Sequence, residues 1–135
     1  MNIKSIIISY LLTFIVFLMV DMLWLGVIAK NLYQKYLGGF ITDKVNWIAA
    51  FVFYLIYVVG ISIFAIYPAV NKGSAFNAVL MGALFGIFTY ATYDLTNLAT
   101  LKGWPLPIVF IDICWGALLS AIVSFSGFHI VKWFN

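Results

Sequence analysis

Three of the four acidic residues in this chain lie inside long apolar stretches, at Asp21, Asp94 and Asp112. The fourth, Asp43, lies in a polar segment. A carboxylate placed in hydrocarbon costs about 2.5–3.5 kcal/mol on insertion scales, so each of the three is a candidate functional residue. Carboxyl groups held close together can act as general acid and base, exchange protons as a coupled set, or bind a cation.

The spacing of the three acids along the chain predicts that they share one depth in a membrane. Counted from the nearest polar end of each apolar stretch, Asp21, Asp94 and Asp112 lie roughly 13, 12 and 8 Å below the same membrane face, at about 1.5 Å per helical residue. A small helical bundle offers few places for a charge except its interior. We therefore expect the three carboxyl groups to form one cluster, far from His129.

The acids have aromatic and amide neighbours on the same helix faces. An indole follows three positions after Asp21 and again after Asp112, and residues three apart share a helix face. Each indole N–H could therefore donate to a carboxylate. Tyrosines and an asparagine lie beside Asp94 in the same way. The predicted ligand-binding residues are Asp21, Trp24, Tyr90, Tyr93, Asp94, Asn97, Asp112 and Trp115, with Asp94 and Asp112 as the candidates for catalysis.

Four long apolar segments would position these residues. The chain has 135 residues, of which 66% are hydrophobic and 8% charged, and this is too apolar for a soluble domain of this size. About 20 apolar residues cross a bilayer as a helix. The predicted spans are residues 5–29, 47–67, 75–99 and 106–131, with Pro68 ending the second. They predict one all-α, four-helix transmembrane domain over residues 1–135, with a short interfacial helix after the first span.

The ends of the spans carry further signals. Aromatic residues there predict a belt at the lipid headgroups, formed by Tyr33, Tyr36, Trp47, Tyr67, Trp104 and Trp133. The first apolar run is longer than the core of a signal peptide, about 7–15 residues, so we expect a retained span. Lysines are divided almost evenly between the two membrane faces and indicate no orientation. Gly82 and Gly86 lie one turn apart and predict close helix packing.

Several classes of function are excluded by composition. The net charge of +3 comes from lysines scattered between spans, a pattern typical of membrane flanks rather than of nucleic-acid binding. The single histidine, His129, falls on the membrane side opposite the acids, and Cys114 is the only cysteine. We therefore expect no zinc or copper site, no disulfide and no cofactor. Three carboxylates with carbonyl groups could hold a hard cation such as Ca²⁺ or Na⁺, but nothing in the sequence requires it, so no metal ligand is assigned. No phosphate-binding or dinucleotide-binding motif is present.

The motifs around the acids resemble those of a known family. They are the runs Asp21–Gly26, Tyr93–Asn97 and Asp112–Gly116, together with Trp104-Pro105. In combination they are similar to a family of small four-span bacterial membrane proteins that is defined only as a domain of unknown function. The resemblance covers nearly the whole chain. It implies a multi-pass protein of the bacterial inner (cytoplasmic) membrane, and it implies no reaction.

Three functions are consistent with these residues, and the sequence leaves open whether the protein is an enzyme. The first is binding or transport of a small cationic or amphipathic ligand, because aromatic faces and carboxylates suit organic cations. Proton exchange at the aspartates would couple to release, and transport would need a homodimer. The second is a membrane-embedded enzyme acting on a lipid or isoprenoid, with Asp112 as acid and Asp94 as base. The third is a structural or assembly subunit. The expected partners are membrane lipids and such a ligand.

Overall fold

Five helices form almost the whole chain in the computed structural model, which describes all residues from Met1 to Asn135. The helices are α1 (Ile3–Ile28), α2 (Lys30–Leu37), α3 (Trp47–Lys72), α4 (Ala75–Thr100) and α5 (Leu106–Phe134). All except the short α2 are long and apolar enough to cross a membrane. The predicted all-α, four-span architecture is confirmed.

Local sequence explains where the long helices begin and end. Asn2, Asn46 and Ser74 cap α1, α3 and α4, because each side chain accepts a hydrogen bond at 2.8–3.1 Å from the backbone N–H three residues on. Pro107 lies in the first turn of α5, where its missing N–H costs nothing. Gly73 ends α3 with a φ of 65°, a left-handed conformation that glycine adopts without steric cost.

Pro68 does not end the second span, contrary to the prediction. Helix α3 runs through it to Lys72, and the residues just before it, Ser62–Ile66, form a π-helical segment. A proline removes one backbone donor, and its ring clashes with the carbonyl of the residue four positions earlier. The wider π-helical turn accommodates this ring, so the helix continues for another turn.

The backbones of α4 and α5 touch along a row of small residues. A Cβ atom added at Gly86 would overlap the carbonyl group of Gly116, and one added at Gly82 would overlap the Ser124 hydroxyl. Lipid tails are as apolar as leucine, so van der Waals contact of this kind holds transmembrane helices together. The close approach also brings the polar face of α4 against α5.

A hydrogen-bonded group and an apolar core hold the helices of the bundle together near the middle of their length. The Tyr57 hydroxyl of α3 lies 3.0 Å from the Thr89 hydroxyl of α4 and 2.7 Å from the Ser120 hydroxyl of α5. Phe17 from α1 and Leu119 from α5 are fully buried beside it. The hydrogen bonds join α3, α4 and α5, and Phe17 adds α1 to the same core, so all four spans meet beside the segment that carries the acids.

Helix α2 covers one end of the bundle. Its residues Tyr33, Tyr36 and Leu37 pack against a buried cluster of Trp104, Ile108 and Val109. Tyr33 and Trp104 therefore turn inward, and the belt at the headgroups stays a prediction for them. The physical reason is that α2 places its apolar face on α5 instead of on lipid.

Candidate functional site

A tyrosine of α2 holds the carboxyl group of Asp112. The Tyr33 hydroxyl donates a hydrogen bond to Asp112 Oδ1, and it accepts one from the Trp24 indole N–H at 3.1 Å. The three residues belong to α2, α5 and the end of α1. These hydrogen bonds connect α2 to the spans α1 and α5. The Asp112 side chain is buried, with only 6% of it exposed.

The two indoles do not bond to the acids on their own helices. Trp115 of α5 instead donates to Asp21 Oδ1 of α1 at 3.3 Å, and Trp24 bonds to Tyr33. The two indole rings stack, with centroids 4.4 Å apart and planes within 8°. Trp24 is also the first residue of a π-helical segment, Trp24–Ile28.

Asp94 accepts no hydrogen bond from an N–H or O–H donor. Its side chain is fully buried, and both carboxyl oxygens lack such a donor. The groups that face it are the carboxyl group of Asp112 and the indole N–H of Trp104, which is also buried without a partner. No lysine interacts electrostatically with any of the three carboxyl groups. Burying an unpaired carboxylate costs free energy, unless the group carries or shares a proton or binds a cation.

Asp21 and Asp112 open onto one cavity of about 390 Å³. The rest of its wall is aromatic and aliphatic, so the two carboxyl groups are its only acidic features. The lining residues are Asp21, Leu25, Tyr33, Leu37, Phe53, Tyr54, Tyr90, Tyr93, Asp112 and Trp115. Asp94 is not part of this wall and adjoins it through the Asp112 carboxyl group.

The structure therefore separates the predicted residues into two groups. Five of them line the cavity, namely Asp21, Tyr90, Tyr93, Asp112 and Trp115. Trp24, Asp94 and Asn97 do not. Trp24 supports Tyr33, Asp94 faces Asp112, and Asn97 lies beside Tyr93. The ring of His129 packs against Phe125 and Phe128, towards the other end of α5.

Sequence reasoning missed half of the cavity wall. Leu25, Tyr33, Leu37, Phe53 and Tyr54 were not predicted. Leu25 follows Asp21 by four positions, and this helical spacing could have identified it. The two residues of α3 have no polar neighbour in the sequence, and the two residues of α2 were interpreted as interfacial, so no local signal pointed to the acids.

Tyr33 lies outside the spans and remains a neutral hydrogen-bond donor. Burial raises the pKa of its phenol far above the usual value, and the hydrogen bond to Asp112 and the charges of Asp112 and Asp94 act in the same direction. The phenol therefore keeps its proton throughout the physiological pH range. It can therefore donate to Asp112 throughout that range.

Replacing this hydroxyl tests how α2 is held. Tyr33→Phe should speed hydrogen exchange of the α2 backbone amides about 10- to 100-fold, because a hydrogen bond to a charged group contributes about 1.5–3 kcal/mol. Tyr36→Phe is the matched control, since Tyr36 packs on the same cluster but does not bond to an acid. Equal exchange rates in the two variants would show that apolar contacts alone hold α2 in place.

Comparison with protein families gives a match over most of the chain. A family model described as "Predicted membrane protein (DUF2177)" matches residues 6–129. The chain belongs to this family. The match includes every residue of the cavity and confirms the family resemblance noted from the motifs. No curated protein and no solved structure matches the chain. The family description agrees with the four spans and assigns no ligand or reaction.

Proposed function

We propose that this DUF2177 protein binds a small organic cation or amphipathic amine within the bacterial inner membrane, and that it transports this ligand as a homodimer. The observation that carries the proposal is the cavity of about 390 Å³ in which Asp21 and Asp112 face aromatic walls. No lysine neutralises either carboxyl group. A bound cation would supply the missing countercharge.

The size and chemistry of the wall suit such a ligand. Small-molecule sites are mostly apolar clefts of about 300–1,000 Å³ with a few placed polar groups, and this cavity falls at the lower end of that range. Tyrosine and tryptophan faces attract cations, most strongly where water is excluded. The carboxyl groups of Asp21 and Asp112 would then orient the charged group between α1 and α5.

Asp94 gives the site a means of exchanging protons. It faces Asp112, and neither of its oxygens has another partner. Two such carboxyl groups cannot both ionise cheaply, and we infer that they share one proton. A cation that binds at Asp112 would compete with this proton and release it. Proton release on binding is the coupling that a proton-driven exporter or importer needs.

The geometry favours binding over acid–base catalysis. A general acid and a general base must both come within hydrogen-bond reach of the substrate. Asp112 borders the cavity, but Asp94 does not. The pair could therefore reach a lipid substrate only through Asp112, and a second catalytic acid would have to come from Asp21. No contact in the structure favours the assembly-subunit alternative over a ligand site.

Cation binding by the purified protein tests the proposal. In lipid nanodiscs, benzyltrimethylammonium should change the tryptophan fluorescence because Trp115 lines the cavity. Asp112→Asn should weaken its binding at least about 30-fold, the effect expected when one partner of a buried charge pair is removed. The neutral carbon isostere neopentylbenzene should not compete.

Asp43→Asn provides the matched control. Asp43 is exposed in the segment before α3, and the same change there should leave the affinity for benzyltrimethylammonium unchanged. The proposal fails if Asp112→Asn and wild-type protein bind the cation equally well. It also fails if neopentylbenzene competes as strongly as the cation does.

A further inference from the structure

An apolar groove of about 560 Å³ lies between α1 and α3. All of its lining residues are hydrophobic, and they are Leu18, Met22, Trp47, Ile48, Ala50, Phe51, Val52 and Tyr54. Trp47 and Ile48 are 70% and 79% exposed, so the groove is open along the lipid-facing side of the bundle. A molecule dissolved in the bilayer could enter it without crossing water.

The groove adjoins the acidic cavity. Tyr54 lines both, so its side chain borders the apolar groove as well as the cavity that holds the carboxyl groups. On α1, Leu18 and Met22 belong to the groove, and Asp21 between them belongs to the cavity. The two spaces therefore meet along the same stretch of the α1–α3 crevice, with acids on one side and hydrocarbon on the other.

We propose that the cavity and the groove together bind one single-chain cationic amphiphile. The amine or quaternary ammonium head lies between Asp21 and Asp112, and the hydrocarbon chain lies along the groove past Tyr54. This inference rests on the proposed cation site and specifies its ligand as a long-chain amine that resides in the membrane. The cationic head of such a molecule matches the carboxyl groups of the cavity, and its hydrocarbon chain matches the apolar groove.

The hydrocarbon chain of the ligand contributes selectivity for long-chain cations rather than simple hydrophobic attraction. Lipid tails are as apolar as the groove, so moving a chain from the bilayer into the groove gains little from the hydrophobic effect. The groove adds a preformed surface beside the cavity that binds the cationic head. Once the head is bound, binding of the hydrocarbon chain to the groove is effectively intramolecular. Filling the groove should therefore weaken the binding of long-chain cations only.

A groove-filling substitution tests this inference. Ala50 lines the groove, and Ala50→Phe should lower the affinity for dodecyltrimethylammonium about tenfold because the added ring overpacks the space taken by the chain. The affinity for benzyltrimethylammonium, which has no chain, should stay at the wild-type value. Unchanged binding of the short cation also shows that the variant is folded.

Ala49→Phe is the matched control, since Ala49 is the neighbouring residue of α3, is exposed and does not line the groove. All proteins are measured in nanodiscs of one lipid composition, so partitioning of the probes into lipid is the same throughout. The inference is overturned if Ala50→Phe leaves dodecyltrimethylammonium binding unchanged, or if Ala49→Phe weakens it equally. Either result, with benzyltrimethylammonium still bound through Asp112, leaves the proposed cation site intact. Failure of wild-type protein to bind either cation overturns both.

Discussion

Asp94→Asn should abolish the release of protons when a cation binds. Wild-type protein should release about one proton for each benzyltrimethylammonium bound, because the cation displaces the proton that Asp94 and Asp112 share. In the variant, an amide N–H can donate to Asp112, so this carboxylate stays ionised without a shared proton. Binding should persist, since Asp94 does not line the cavity.

Calorimetric titration in two buffers of different ionisation enthalpy measures this proton count directly. Because protons compete with the cation, the wild-type affinity should rise with pH, whereas the affinity of Asp94→Asn should be nearly independent of pH. Asp43→Asn should behave like wild type. Binding by wild-type protein without proton release would contradict the shared proton and leave the cation site itself standing.

Gly86→Ala should destabilise the bundle. The added Cβ would overlap the Gly116 carbonyl, which is backbone and cannot rotate away. Helices α4 and α5 would have to separate, and overpacking of this kind costs about 1–3 kcal/mol of the free energy of unfolding. The separation would also move Asp94 away from Asp112, because they are on these two helices.

Unfolding by sodium dodecyl sulfate in mixed micelles measures the loss. Gly26→Ala is the matched control, since a Cβ there meets nothing within 4 Å. Its free energy of unfolding should equal that of wild type or rise slightly, because alanine is the better helix former. A Gly86→Ala protein as stable as Gly26→Ala would show that α4 and α5 adjust without cost.

The spans could be predicted because their signals are local. Length and apolarity are properties of a continuous segment, and they located all four transmembrane helices. The end of α3 was misplaced, since the π-helical turn that accommodates Pro68 has no clear signature in composition. The common depth of the acids is likewise a prediction from one segment at a time, made by counting residues at a constant helical rise.

Contacts between helices could not be predicted in the same way. The spacing of Asp21 and Trp24 placed an indole on the same helix face as its acid, but the structure pairs Asp21 with Trp115 of another helix. Tyr33 had the pattern of an interfacial residue, yet it bonds to Asp112. Helical spacing specifies which residues share one face of a helix. The rotation of the neighbouring helices decides which residues that face contacts.

By itself, the sequence determined a four-span membrane protein, because hydropathy is a property of one continuous segment, and it predicted three acids at one depth from the constant helical rise. Only the tertiary structure decided which acids border the cavity. Close packing at Gly86 and the folding of α2 over α5 leave Asp21 and Asp112 on its wall and Asp94 buried behind them. The physical reason is that packing and hydrogen bonding between helices depend on residues far apart in the chain, such as Tyr33 and Asp112, whose contact no local pattern encodes.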